Sequence, residues 1–270
     1  MLILVFSLIC LAVAVPVGLN AGIWAALGAF LGLFLLQALI VFLFLLYLCR
    51  RVDQNVPQEQ DDPLYRLVTD LILESVLPIL RIRIQKNGMD KVPAEGRFLL
   101  VCNHCSDSDP IILMRTFRKY RMAFISKKEN KDMFVIGSMM HKLQCQLINR
   151  ENDREALKTI IKCIQILKED KASVAVFPEG GILSEDGKLH HFKPGVFKIA
   201  QKAGVPIVVC TLKNTLPVVS NILHLKPSRV TLDVLGVIDT ETVASLKTVE
   251  IAEKAHAMMA ENLGPALLAD

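Results

Sequence analysis

The sequence predicts an α/β fold, a mixed sheet flanked by helices, carried behind an N-terminal transmembrane helical hairpin. Three observations predict it. Residues 1–49 contain no Asp, Glu, Lys or Arg. Beyond residue 80, short runs rich in β-branched residues alternate with segments of helical periodicity, the pattern of an α/β domain. An apolar run ending at Cys102 leads directly into the polar stretch Asn103–Asp109, a strand-to-loop-to-helix transition of the kind at which open α/β sheets bind ligands.

The apolar content of 52% is above the soluble average, and the excess sits in the first block. A single helix over residues 1–49 would reach about 73 Å at ~1.5 Å per residue, over twice the ~30 Å hydrocarbon core. The breakers in Pro16-Val17-Gly18-Leu19-Asn20-Ala21-Gly22 place a turn there, so two helices are expected, near 2–16 and 23–48. A cleaved signal peptide is disfavoured because no Lys or Arg precedes the apolar run; a single long span with a re-entrant start is the remaining alternative. Arg50 and Arg51 close the block, which predicts an integral membrane protein with the remaining chain on the cytoplasmic side. Seven cysteines, with Cys102 and Cys105 at Cys-x2-Cys spacing but no second such pair to complete a site, fit free thiols in a reducing compartment rather than a disulfide framework or a zinc site.

The chain thus divides into transmembrane segments at 1–49, a linker and amphipathic helix at 50–80, and an α/β domain at 81–270. Residues 52–62 are polar and contain Pro57, as a linker does. Leu64, Leu67, Val68, Leu71, Ile72 and Leu77 recur at helical spacing, giving a helix whose apolar face meets either the membrane or the core. Strands are expected near 81–85, 98–102, 122–126, 144–148, 173–177, 206–211 and 230–237. Helices are expected near 110–117, 131–141, 152–169 and 194–203, with one closing helix over 240–263.

The net charge of +4 is modest, but Arg115, Arg118, Lys119, Arg121, Lys127, Lys128 and Lys131 fall within seventeen residues. Read as one patch, they would attract phosphate on a lipid headgroup, a substrate or coenzyme A; a solvated basic face is the plain alternative. Nucleic acid is a poor candidate, because a membrane-anchored chain whose patch, with Phe117, Tyr120 and Phe124 among its cations, follows none of the usual reader motifs offers no recognised mode of binding it.

His104 precedes Asp109 by five positions in Asn103-His104-Cys105-Ser106-Asp107-Ser108-Asp109. Ser108 or Asp109 followed by Pro110 is also an ordinary helix start, and the two readings are compatible. An imidazole can take a proton from a weakly nucleophilic hydroxyl, and a carboxylate on the other ring nitrogen fixes the tautomer and stabilises the imidazolium. Cys105 or Ser106 as a covalent nucleophile is the rival. Neighbouring residues of an extended loop point apart, and no Gly-x-Ser-x-Gly elbow surrounds Ser106. The pair His190-His191 resembles no zinc spacing, so no metal is expected.

Four segments stand in order: the Asn103–Asp109 stretch, Ile148-Asn149-Arg150, Phe177-Pro178-Glu179-Gly180, and Val205-Pro206-Ile207-Val208-Val209. Together they resemble the glycerolipid acyltransferase family. Asn87-Gly88-Met89-Asp90-Lys91-Val92-Pro93, Lys127-Lys128-Glu129 and Phe192-Lys193-Pro194-Gly195 add to the likeness, which covers about residues 81–237. The resemblance implies a glycerol-3-phosphate acyltransferase-like fold with His104 as general base and Asp109 as its orienter. It implies substrate-binding parts at Asn103, Lys127, Glu179 and Gly180, with Arg150 and Lys193 on an acceptor phosphate. The reaction implied is acyl transfer from acyl-CoA or acyl-ACP, as co-substrate and without a cofactor, to a membrane lysophospholipid. 1-Acyl-sn-glycerol-3-phosphate, giving phosphatidic acid, is the first acceptor to consider. The family commonly continues Phe-Pro-Glu-Gly with Thr-Arg-Ser, whereas this chain has Gly181-Ile182-Leu183-Ser184. An arginine is therefore missing, which opens the way to another lysolipid acceptor. A catalytically silent lipid-binding membrane scaffold and a thioester hydrolase are the readings from other classes.

Overall fold

The computed structural model describes residues 2–183 and 186–269; Ser184, in the stretch where the family pattern is lost, lies outside them. The apolar block forms helices α1 (Leu2–Ala21) and α2 (Ile23–Arg50), about 30 and 42 Å long at ~1.5 Å per residue. Each is long and apolar enough to cross a membrane. The expected turn over Pro16–Gly22 is corrected here: α1 runs through Pro16 and the break is the single residue Gly22, at φ 86°. A proline removes one helical N–H bond, and Asn20 Nδ2 donates to the Pro16 carbonyl at 2.8 Å. Reversing the chain instead needs a positive φ, which glycine adopts without steric cost.

The hairpin is tied to the rest of the chain where it ends. Tyr65 of α3 (Pro63–Ile79) donates its hydroxyl to the Leu48 carbonyl at 2.8 Å. Asp62 caps α3 by accepting from Leu64 N and Tyr65 N, the usual use of a side-chain oxygen at a helix start. The preceding linker is docked rather than loose, since Asp62 N donates to Lys142 O and Gln144 Nε2 donates to Gln58 O. The choice between membrane and core for α3 resolves toward the core, where Tyr65, Val68 and Leu77 pack.

Seven strands form one sheet: β1 (Ile82–Asn87), β2 (Leu99–Cys102), β3 (Met122–Lys127), β4 (Gln146–Ile148), β5 (Ser173–Val176), β6 (Ile207–Lys213) and β7 (Ser228–Ile238). Their order is β1-β7-β6-β2-β5-β3-β4. Every pairing is parallel except β6 with β7, so the sheet is mixed. Strand residues alternate between two cores, as the pleat dictates. Leu100, Cys102, Phe124, Ala175 and Val208 face one; Leu99, Val101, Val174, Val176, Ile207 and Val209 face the other. The central strands are buried on both faces and read as continuous apolar runs.

The first core is covered by α3, α4 (Asp109–Thr116) and α5 (Ile136–Lys142), through Tyr65, Ile112, Leu113 and Met139. The second is covered by α6 (Asp153–Lys168), α7 (Lys198–Ala203), α9 (Thr240–Ser245) and α10 (Thr248–Leu263), through Cys163, Ile199, Val243, Ile251 and Met259. A short α8 (Val218–Leu223) was not expected. Three helices depart from expectation for backbone reasons. The single closing helix is broken at Leu246 and Lys247, which are extended. The helix expected from 131 begins only at Ile136 because Val135 has φ 63°. Residues 194–197 form a 3-10 turn before α7.

Candidate active site

The parallel strands β2 and β5 lie side by side, with Leu99 opposite Val174 and Val101 opposite Val176. The loops that leave their C-terminal ends carry His104 and Glu179, the position at which open α/β sheets hold ligands. His104 Nδ1 lies 3.0 Å from Asp109 Oδ2. The same Oδ2 accepts the main-chain N–H groups of Cys105 at 2.7 Å and Ser106 at 2.8 Å. Asp109 is the first residue of α4, after Ser108 as N-cap, so its carboxylate reaches back over the turn instead of capping the helix forward. The loop is closed by Asp109 N to Ser106 O and by the Ser106 and Ser108 hydroxyls, 2.9 Å apart.

Burial is graded across the pair: the Asp109 side chain is 0% exposed and the His104 side chain 13%. With Nδ1 held by the carboxylate, Nε2 is the nitrogen left for a substrate. The Phe177 ring stacks on the imidazole, with centroids 4.0 Å apart and planes within 16°, and fixes the remaining rotation of the ring. Phe177 belongs to the third sequence block, but its contact with His104 was not anticipated; its place immediately before Pro178-Glu179 was the available signal.

Glu179 is turned inward. Its Oε1 accepts His104 N at 2.8 Å and its Oε2 accepts His190 N at 2.9 Å. Burial pushes this carboxyl above the usual range, while the two main-chain donors at His190 and His104 work against the rise. It braces the loops on either side of the imidazole, using one acceptor position of each oxygen. Asn103 is held by the main chain in a similar way. Its Nδ2 donates to Leu212 O at 2.9 Å, and its Oδ1 accepts Leu212 N at 2.8 Å. A buried amide prefers full satisfaction, so this side chain joins the end of β2 to β6.

Arg150 and Lys193 come together at the glycine turn after Glu179. Gly180 has φ 89°, and a Cβ there would stand 2.8 Å from both Cε and Nζ of Lys193. A Cβ on Gly181 would stand 2.6 Å from Arg150 Nη1. Missing side chains thus leave room for two cations over one turn, and neither forms an ion pair among the described residues. A planar guanidinium and a point-charge ammonium close together suit a phosphate group.

Lys127 is exposed at the C-terminal end of β3, opposite Ile148 in the register with β4, on the same side of the sheet. The single basic patch expected from sequence is corrected into two. Arg118, Lys119 and Arg121 precede β3, whereas Lys127, Lys128 and Lys131 lie at its far end, about 20 Å away at ~3.3 Å per residue. Arg118 also faces Glu74 at 3.8 Å. Only the second group shares an end of the sheet with His104.

Cys105 is poorly suited to be a nucleophile. Burial, with Asp109 nearby, pushes its thiol up to about 12, and reactivity requires thiolate. Its Sγ contacts Asn103 Nδ2 and Gly187 O. The His191 and His256 rings stack 6.2 Å apart, with Phe192 edge-on to His256, on the opposite face of the domain core from α4.

An imidazole held by a buried carboxylate, with two cations gathered at the neighbouring glycine turn, is an arrangement suited to taking a proton from a hydroxyl of an anionic substrate. The comparisons point to a family: residues 83–213 match the family model described as Acyltransferase. Among similar proteins is a probable 1-acyl-sn-glycerol-3-phosphate acyltransferase of Mycoplasma genitalium, 30% identical over 165 residues, 59% of this chain and 58% of the relative. Another is the chloroplastic 1-acyl-sn-glycerol-3-phosphate acyltransferase BAT2 of Brassica napus, 35% identical over 142 residues, 52% of this chain and 40% of the relative. The chain therefore spans about half the length of the curated relatives it matches. The crystal structure of the 1-acyl-sn-glycerophosphate (LPA) acyltransferase PlsC from Thermotoga maritima shares the fold, with TM-score 0.62 and 21% identity over 83% of this chain and 88% of that one.

Proposed function

We propose that this protein is a membrane-bound O-acyltransferase that moves a fatty acyl group from acyl-CoA or acyl-ACP to the free hydroxyl of a lysophospholipid, with 1-acyl-sn-glycerol-3-phosphate as acceptor and phosphatidic acid as product. The observation that carries the reading is the His104–Asp109 contact beside the Arg150 and Lys193 pair. The relatives named for this reaction support it.

His104 Nε2 takes the proton of the acceptor hydroxyl as its oxygen attacks the thioester carbonyl, and Asp109 stabilises the imidazolium that forms. The tetrahedral intermediate collapses with cleavage of the C–S bond. The imidazolium returns its proton to the departing thiolate, so ester and free thiol leave and the histidine is regenerated. Arg150 and Lys193 hold the acceptor phosphate and thereby the hydroxyl near Nε2, the positioning that makes an otherwise bimolecular attack efficient. The hairpin holds the protein where the acceptor already resides, with the domain on the cytoplasmic side next to Arg50 and Arg51.

The test is thiol release from acyl-CoA and from acyl-ACP by the purified full chain in lipid, with and without a panel of lysophospholipids, followed by mass spectrometry of the lipids. Release that depends on lysophosphatidic acid, with phosphatidic acid formed, is expected. Equal release without acceptor would mean hydrolysis, and a diacyl product only from another headgroup would move the acceptor assignment.

A further inference from the structure

Between β3 and α5 the chain presents three large apolar side chains to the outside within four residues: Met133 (47% exposed), Phe134 (62%) and Ile136 (43%). Scattered apolar residues on a surface need no explanation, whereas a cluster does. The loop's backbone is also unusual. Val135 has φ 63° and ψ −51°, and Ile136 N donates to Phe134 O at 2.7 Å. That is a γ-turn of the positive-φ kind, rare and strained, at a β-branched residue that avoids positive φ. Gly137 N to Met133 O at 2.9 Å closes the loop, and Gly137 packs so tightly on the Lys131 carbonyl that a Cβ would stand 1.9 Å from it. The tip is therefore held outward by its base.

What it is held against is on the same molecule. The Phe134 ring lies 6.4 Å from the Phe42 ring of α2. Phe42 stands eight residues before Arg50, about 12 Å along the helix from the first charge, and is flanked by the outward-facing Leu39, Ile40 and Leu43. The loop and the hairpin thus form one continuous apolar surface. Charge contributes little, since Lys127, Lys128 and Lys131 are accompanied by Glu129 and Asp132.

We propose that Met133–Ile136 is a second membrane contact, inserted among the acyl chains of the same leaflet that receives the Arg50 end of α2. The inference rests on the membrane reading of the hairpin given above. It places the C-terminal end of β3, and with it the mouth beside His104, at the bilayer surface, fixing the orientation of the domain that a hairpin on a linker alone would leave free.

The chain has one tryptophan, Trp24, in the hairpin, which allows the two surfaces to be read separately. Full-length protein would be reconstituted in phosphatidylcholine vesicles whose acyl chains carry bromine. The wild type reports Trp24; Trp24→Phe combined with Phe134→Trp, and separately with Met133→Trp, reports the loop. Blue-shifted emission and loss of most intensity to bromine in the wild type and both loop variants is the expected result. Quenching of Trp24 with neither loop indole quenched would overturn the loop contact and leave the hairpin reading standing. No quenching in any of the three would remove the hairpin reading and the loop contact with it.

Discussion

The Arg150 guanidinium occupies the space that a side chain at Gly181 would fill, 2.6 Å from where its Cβ would stand. The arginine expected after Phe177-Pro178-Glu179-Gly180 is replaced by Ile182, and the glycine before it opens the turn to an arginine from the loop after β4. Gly181→Ala should displace Arg150. Steady-state kinetics should show the KM for lysophosphatidic acid raised about tenfold, the loss of about 1.4 kcal/mol of phosphate contact, with the KM for the thioester unchanged.

Phe177 holds the His104 ring from its face. Phe177→Leu keeps the volume apolar but removes the flat contact, and an aromatic pair is worth about 0.5–1.5 kcal/mol beyond its area. The turnover number should fall about two- to tenfold with the acceptor KM little changed; an equal rise in KM alone would place Phe177 on the substrate instead.

Glu179 accepts a main-chain N–H on each oxygen. In Glu179→Gln the new amide must turn its own donors toward either His104 N or His190 N. A buried donor left without a partner costs about 1–3 kcal/mol, so denaturant unfolding should show stability lowered by that amount, with activity lost in parallel. Because the folded carboxyl is raised by burial, its contribution to stability is present below the unfolded value and lost as pH rises through the folded one. The wild-type minus Glu179→Gln stability difference should therefore shrink on raising the pH from the acid range toward neutrality.

A thiol held up at about 12 is almost wholly protonated near neutral pH. Cys105→Ala should keep most of the activity, and rapid mixing of the wild type with acyl-CoA should show no burst of thiol ahead of product. A burst lost on Cys105→Ala would instead establish an acyl-enzyme.

Much of this was legible in the chain because the signals were local. Continuous apolar runs marked β2, β5 and β6, buried on both faces, and the spacing of His104 and Asp109 marked a contact within one turn. Arg150, Glu179, Gly180 and Lys193 were also legible as blocks, though not the direction in which Glu179 points. Long-range partners were hidden: nothing near Asn103 signals that Leu212 will use its amide, and nothing in the run from Arg115 to Lys131 shows that β3 divides it. Backbone choices were hidden as well. Pro16 looks like the stronger breaker, yet the chain turns at Gly22, and Val135 breaks a helix at a residue type that rarely does so.

The most direct measurement is lipid mass spectrometry of product formed from acyl-CoA and lysophosphatidic acid by wild type, His104→Ala and Asp109→Asn, each shown folded by its unfolding midpoint. Phosphatidic acid should vanish with His104→Ala and fall about a thousandfold or more with Asp109→Asn, where the carboxylate that orients the base is lost. Undiminished product from a folded His104→Ala protein would contradict the assignment of His104 as the base.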